Sequence, residues 1–132
     1  METVMITIND ETTAGKVLNS SKIEFPASLV SVESIIKKRV FAEVSKINEE
    51  RKNNFYGLIQ PDAAEITLNG FRMREFKKID PEKQFAIAKD AFLKNGFFIL
   101  IDNIQAETLD QTFFLHKDST ISFVKLTPLV GG

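Results

Sequence analysis

The hydrophobic period changes from two to between three and four near residue 31, and that change limits the folds open to this 132-residue chain. Upstream, Val4-Met5-Ile6-Thr7-Ile8 and Lys22-Ile23-Glu24-Phe25 carry a period of two, which sends neighbouring side chains to opposite faces of a sheet. A polar turn from Asn9 to Thr13 separates them, Gly15 opens the second stretch and Pro26 closes it. The pair is expected to form a hairpin with a long or irregular loop. From Ser31 onward Val32, Ile36, Val40, Val44 and Ile47 recur at steps of three and four, with Glu33, Lys37, Lys38, Glu43 and Lys46 mostly between them. This spacing predicts an amphipathic helix to about Arg51. Hairpin, then helix, then further strands is the order of an α+β domain.

Residues 53–96 read as a loop, a strand candidate at Glu65-Ile66-Thr67-Leu68 entering an Asn69-Gly70 turn, and a second helix. Asp80 can cap that helix and Pro81 suits its first turn. Phe85, Ala88 and Phe92 form its apolar stripe, with Gly96 as its stop. Phe97-Phe98-Ile99-Leu100-Ile101 then reads as an apolar strand. In the last alternating stretch Ile121 and Phe123 point to a core, while Ser122 and Val124 point outward. Pro128 cannot donate to a ladder, so pairing is expected to end near Leu126 or Thr127. One domain over 1–127 and a flexible tail over 128–132 follow. The tail closes on Gly131-Gly132, whose missing side chains suit a narrow channel.

Composition removes several function classes. The chain has no cysteine, which excludes disulfides, thiolate metal sites and a cysteine nucleophile of its own. Its single histidine, His116, stands beside Lys117 and Asp118 and reads as a solvated turn residue. Asp62, Glu65, Asp80 and Asp90 are scattered, without the spacing of a metal or acid–base site. No intrinsic enzyme and no metal site is expected. A net charge of −1 with mixed signs leaves no electrostatic footprint for nucleic acid or an acidic membrane. No apolar run reaches the roughly 18 residues of a bilayer span, and the N-terminus lacks the regions of a signal peptide. A cytoplasmic location is the expectation. Twelve phenylalanines and no tryptophan put nearly all aromatic volume into purely apolar rings, so most belong in the core.

Thr108-Leu109-Asp110, followed by Lys117-Asp118-Ser119-Thr120-Ile121-Ser122-Phe123-Val124 and a terminal Gly-Gly, resembles the closing segment of ubiquitin. The Pro128-Leu129-Val130-Gly131-Gly132 ending also resembles the tails of the sulfur carriers of thiamin and molybdopterin synthesis, which share ubiquitin's β-grasp fold. Matching covers residues 97–132, and the rest agrees in element order. The resemblance makes residues 53–96 an insertion, since ubiquitin has only a short connection there.

The resemblance implies a β-grasp domain and a protein modifier. An activating enzyme, using ATP and magnesium, would adenylate the Gly132 carboxylate. A conjugating enzyme would carry it as a thioester to target proteins. A deconjugating or processing peptidase completes the set of partners. Gly131 and Gly132 are then the activated residues, and Pro128, Leu129 and Val130 the stretch an enzyme reads. No cofactor is bound by the chain itself. Bacterial ubiquitin-like pathways, including antiphage ones, are the implied setting, and the abundance of Ile, Lys, Asn and Phe fits an AT-rich genome. Two alternatives stay open: a sulfur carrier that forms a C-terminal thiocarboxylate, and a β-grasp binding module that is never activated. Length favours the modifier, whereas the tail sequence leans towards the carrier. The family also places an apolar docking patch on the outer sheet face, here Leu100 and Val124, unless the inserted helix covers them.

Overall fold

A computed structural model describes residues 2–59 and 78–125. Strands β1 (Thr3–Thr12) and β2 (Val17–Pro26) come first and pair antiparallel. β1 runs to Thr12, past the alternating segment, because its polar end gains ladder partners on both sides. Asp10 and Glu11 pair with β2 across a bulge and with a later strand on the other flank. Gly15 closes the loop at φ 87°, a left-handed conformation that favours glycine.

After a short strand β3 (Leu29–Ser31), helix α1 (Val32–Ile59) begins under a side-chain cap. The Ser34 N–H donates to the Ser31 hydroxyl at 3.1 Å. Its apolar stripe places Val32, Ile35, Ile36 and Val44 in the interior. The helix extends eight residues beyond Arg51. Asn53 and Asn54 suggest a loop, but such residues cost a helix at most ~0.7 kcal/mol each, and Pro61 is the first residue that cannot continue one.

Helix α2 (Pro81–Leu93) starts as its sequence predicts: the Asp80 carboxylate accepts from the Glu82 N–H at 3.0 Å, with Pro81 in the first turn. Its end corrects the expectation for Gly96. The left-handed residue is Asn95, at φ 60°. The Gly96 N–H returns to the Ala91 carbonyl at 2.7 Å and the Asn95 N–H to Phe92 at 3.1 Å, the paired bonds of a Schellman motif.

Strand β4 (Phe97–Ile101) turns through Asp102 and Asn103, both at positive φ, into β5 (Ile104–Gln105). Such residues suit a two-residue hairpin turn that needs positive φ twice. β6 (Thr112–Phe114) pairs with β3 in a separate two-stranded sheet, and β7 (Thr120–Lys125) closes the main one. The main sheet has the order β2-β1-β7-β4-β5. β7 lies parallel to β1 and antiparallel to β4.

The helices cover one face. Ile6, Ile8, Phe25, Ile99, Ile101, Ile121 and Phe123 meet Val32, Ile35 and Ile36 of α1, and Phe85 and Phe92 of α2 join the same core. Among the described residues the result is an α+β fold, a five-stranded mixed sheet with two helices, opened by a strand pair and then a helix. It is compatible with a β-grasp. No helix among the described residues is long and apolar enough to cross a membrane.

Candidate functional site

β7 carries the sequence that leads to the tail. Thr120 to Lys125 pair with Thr7 to Thr12 on one side, and Ile121 to Lys125 with β4 on the other. The root of the tail is therefore anchored in the middle of the sheet rather than at an edge. Pro128, Leu129, Val130, Gly131 and Gly132 lie outside the described residues, as do Leu126, Thr127 and the Glu65–Leu68 strand candidate.

Strand parity sets what surrounds that root. Ile121 and Phe123 are buried on the helix side, so Ser122 and Val124 face the opposite, outer side. On β4, Ile99 and Ile101 are buried, which turns Phe98 and Leu100 outward. Leu100 lies opposite Ser122, and Phe98 opposite Val124. Leu100 and Val124 are thus diagonal neighbours, roughly 7 Å apart by sheet geometry, and both are half-buried. Phe98 is closer to Val124 in register than Leu100 is. Its parity, equal to that of Leu100, was the available signal in the sequence. Glu11, opposite Val124 on β1, accepts a hydrogen bond from the Ser122 hydroxyl and breaks the apolar surface with a polar pair. Helix α2 sits on the other face: Phe85 meets Phe41 of α1 edge-on at 6.5 Å, and Phe92 meets Phe97 at 5.9 Å.

Beneath β7 an ion pair ties three elements together. Both terminal nitrogens of Arg39, on α1, donate to the Asp10 carboxylate of β1 at 2.6 and 2.8 Å. The guanidinium lies 4.7 Å from the centre of the Phe123 ring, within cation–π range. Burial works to lower the Arg39 pKa, but its hydrogen bond and charge interaction with Asp10, aided by Glu43, more than offset this and leave it above its ordinary value. These groups are structural; each is already engaged within the fold.

The turn that begins β7 is stapled to the β4–β5 turn. Asp102 accepts from the Ser119 hydroxyl and the Thr120 N–H, both at 3.0 Å. His116 is half-exposed, its Nδ1 accepting from the Asp118 N–H at 3.3 Å and its Nε2 3.9 Å from the Asp102 carboxylate. Serine, histidine and aspartate come together here, but the buried Ser119 hydroxyl donates to Asp102 and accepts from the main-chain N–H of His116, not from its ring. It is a turn lock without a free nucleophile. Among the described residues no group of three or more His, Cys, Asp or Glu could hold a metal ion.

Comparison with protein-family models finds no match, and neither curated proteins nor solved structures yield a significant one.

Proposed function

We propose that the chain is a ubiquitin-like protein modifier whose Gly132 carboxylate is activated and conjugated to target proteins, in a bacterial pathway. The observation that carries this reading is the passage from a centrally held last strand, β7, into Pro128-Leu129-Val130-Gly131-Gly132. With Gly132 as the exposed terminus, Gly131 and Gly132 carry no side chain to hinder its carboxylate, and β7 holds the root of the tail between two strands. The turns at Thr108-Leu109-Asp110 and Lys117-Asp118-Ser119-Thr120 add to the resemblance.

The chemistry needs nothing catalytic from this chain. A Gly132 carboxylate oxygen attacks the α-phosphate of ATP on an activating enzyme, and pyrophosphate leaves. The acyl-adenylate is a mixed anhydride, so an enzyme thiolate attacks its carbonyl and AMP departs. An amine or hydroxyl of the target then displaces the thiolate. After the Gly132 carboxylate has attacked the α-phosphate, the thiolates come from partner enzymes and the last nucleophile from the target, consistent with a chain that has no cysteine. On this reading Leu100 and Val124, with Phe98 directly opposite Val124, form the surface that the enzymes hold. A sulfur carrier shares the first step and diverges when a sulfur donor attacks the adenylate.

Co-expression with the neighbouring genes, followed by intact and peptide mass spectrometry, tests the proposal. A Gly-Gly remnant from Gly132 on target side chains establishes the modifier. Exchange of one terminal oxygen for sulfur establishes the carrier. Replacing Gly132 with alanine, or deleting Gly131 and Gly132, should abolish transfer without loss of fold. Normal conjugation by the truncated chain refutes the proposal.

A further inference from the structure

The small sheet of β3 and β6 turns an apolar pair outward. Leu29 of β3 and Phe114 of β6 lie directly opposite each other. The Leu115 N–H donates to the Ser28 carbonyl at 3.1 Å. Ser28 and Leu115 are thus a hydrogen-bonded pair, and the next pair, Leu29 and Phe114, is a non-hydrogen-bonded one. Side chains stand closest together in such pairs. Val30 is buried and Phe113 half-buried against the core. By parity Leu29 and Phe114 share the opposite face, and both are largely exposed. A single exposed leucine is ordinary. Two large apolar side chains fixed side by side make a raised ridge.

Beside Leu29 a cleft of about 410 Å³ lies between the end of β2 and the start of α1. Phe25, Pro26 and Leu29 contribute apolar wall, and Ser34 and Thr112 contribute hydroxyls. Among the described residues its lining has one charged group, Lys38. That ammonium is already engaged, donating to the Glu24 carbonyl at 2.8 Å and standing 5.5 Å from the centre of the Phe25 ring. Phe114 takes no part in the lining. Leu29 therefore stands between a projecting ring on one side and an apolar cleft on the other.

We propose that this face joins two copies of the chain across a two-fold axis passing close to Leu29. Rotation about that axis sets Phe114 of each copy over the cleft of the other and brings the two Leu29 side chains together. A closed dimer needs a self-complementary patch. Here one patch carries both the knob and the hole that receives it. A foreign partner would have to bring a projecting apolar side chain of its own, whereas a second copy already has one in place. The described lining sets no uncommitted like charges against each other across the axis, and a net charge of −1 adds little overall repulsion. Pro26, at the cleft, pairs with Thr3 at the start of β1, while Lys125 pairs with Thr12 at its end. The length of β1, roughly 30 Å, separates the contact from the root of the tail. The pairing therefore stands whether or not Gly132 is activated.

The test is a dilution series of the isotope-labelled full chain up to about 1 mM, followed by sedimentation equilibrium and amide signals. The mass should rise from monomer towards dimer while the signals of Leu29, Ser34 and Phe114 move together. In a mixture of labelled and unlabelled chains, isotope-filtered contacts should connect the Phe114 ring of one copy to Pro26 of the other. Phe114→Ser removes the knob from an exposed position and should weaken pairing at least about tenfold. Ser34→Glu tests the hole while favouring the fold. A glutamate there completes a capping box with Ser31, yet its carboxylate would be taken out of water by the incoming ring. It should weaken pairing by a similar factor and leave the melting temperature of the dilute chain unchanged or raised. The proposal is overturned if the chain stays monomeric at about 1 mM, or if pairing survives Ser34→Glu. It is equally overturned if the filtered contacts are missing from the dimer, or if the signals that move on dilution are those of Leu100 and Val124 instead.

Discussion

Replacing Arg39 with methionine isolates the ion pair beneath β7. The Arg39 and Asp10 side chains are 13% and 11% exposed, so the change strands a carboxylate with little access to water. Breaking a buried pair by removing one partner costs about 3–5 kcal/mol. Residual exposure and the retained apolar stem argue for the low end, near 3 kcal/mol. For a domain of this length that corresponds to a fall in Tm of roughly 10 °C. Pairing Arg39→Met with Asp10→Leu removes both charges and should return the domain to within about 1 kcal/mol of the parent. Asp10→Leu alone leaves Arg39 with Glu43 and should cost about 1 kcal/mol, so the two sites should then show a coupling of about 3 kcal/mol. Urea unfolding followed by circular dichroism at 222 nm suits a chain with no tryptophan and one tyrosine. Unchanged m-values would show that the denatured state is the same in all four proteins. A loss below about 0.5 kcal/mol for Arg39→Met would mean that the pair behaves as an exposed one. A full loss with no coupling to Asp10 would instead assign the effect to packing on Phe123. Either result refutes the reasoning.

Asn48 bonds both main-chain groups of Ile79, accepting from its N–H at 2.8 Å and donating to its carbonyl at 3.0 Å. Asn48→Ala should cost about 1–2 kcal/mol, and hydrogen exchange should quicken at the start of α2 before anywhere in the main sheet. Asn95→Ala puts a Cβ without a local polar partner at φ 60° and should cost about 1 kcal/mol. Asn95→Gly should be neutral or slightly stabilising by thermal melting. Leu100→Ala with Val124→Ala should cost less than about 2 kcal/mol, because both side chains are half-buried, yet weaken capture by a co-purified activating enzyme.

Parts of this fold are legible in the sequence because their causes are local. The period of two at Ile121 and Phe123, the three-and-four spacing from Val32, and the Asp80-Pro81 cap each follow from neighbours within a few residues. The missing parts depend on distant partners. Asp10 is held in the interior, two residues before the end of β1, because Arg39 reaches it from α1. β3 and β6 are three residues each and exist by pairing with one another; Leu29 and Phe114, directly opposite, are 65% and 59% exposed and leave no burial pattern to read. Gly96 reads as the helix stop because glycine is the commoner left-handed residue, but Asn95 takes that conformation, and the Ala91 carbonyl stands 3.2 Å from where a Cβ at Gly96 would be. For the candidate site, parity identified the outer face, but the β4–β7 register was needed to put Phe98 opposite Val124.

The sheet order has a mechanical consequence for the proposed activity. Transfer requires an enzyme to draw the tail into a narrow channel while the domain stays folded. A last strand at an edge would be held by one ladder and could peel away residue by residue. β7 is held by β1 and β4 together, and Ile121 and Phe123 are set into the core beneath it. Freeing it means breaking both ladders and lifting two buried side chains at once.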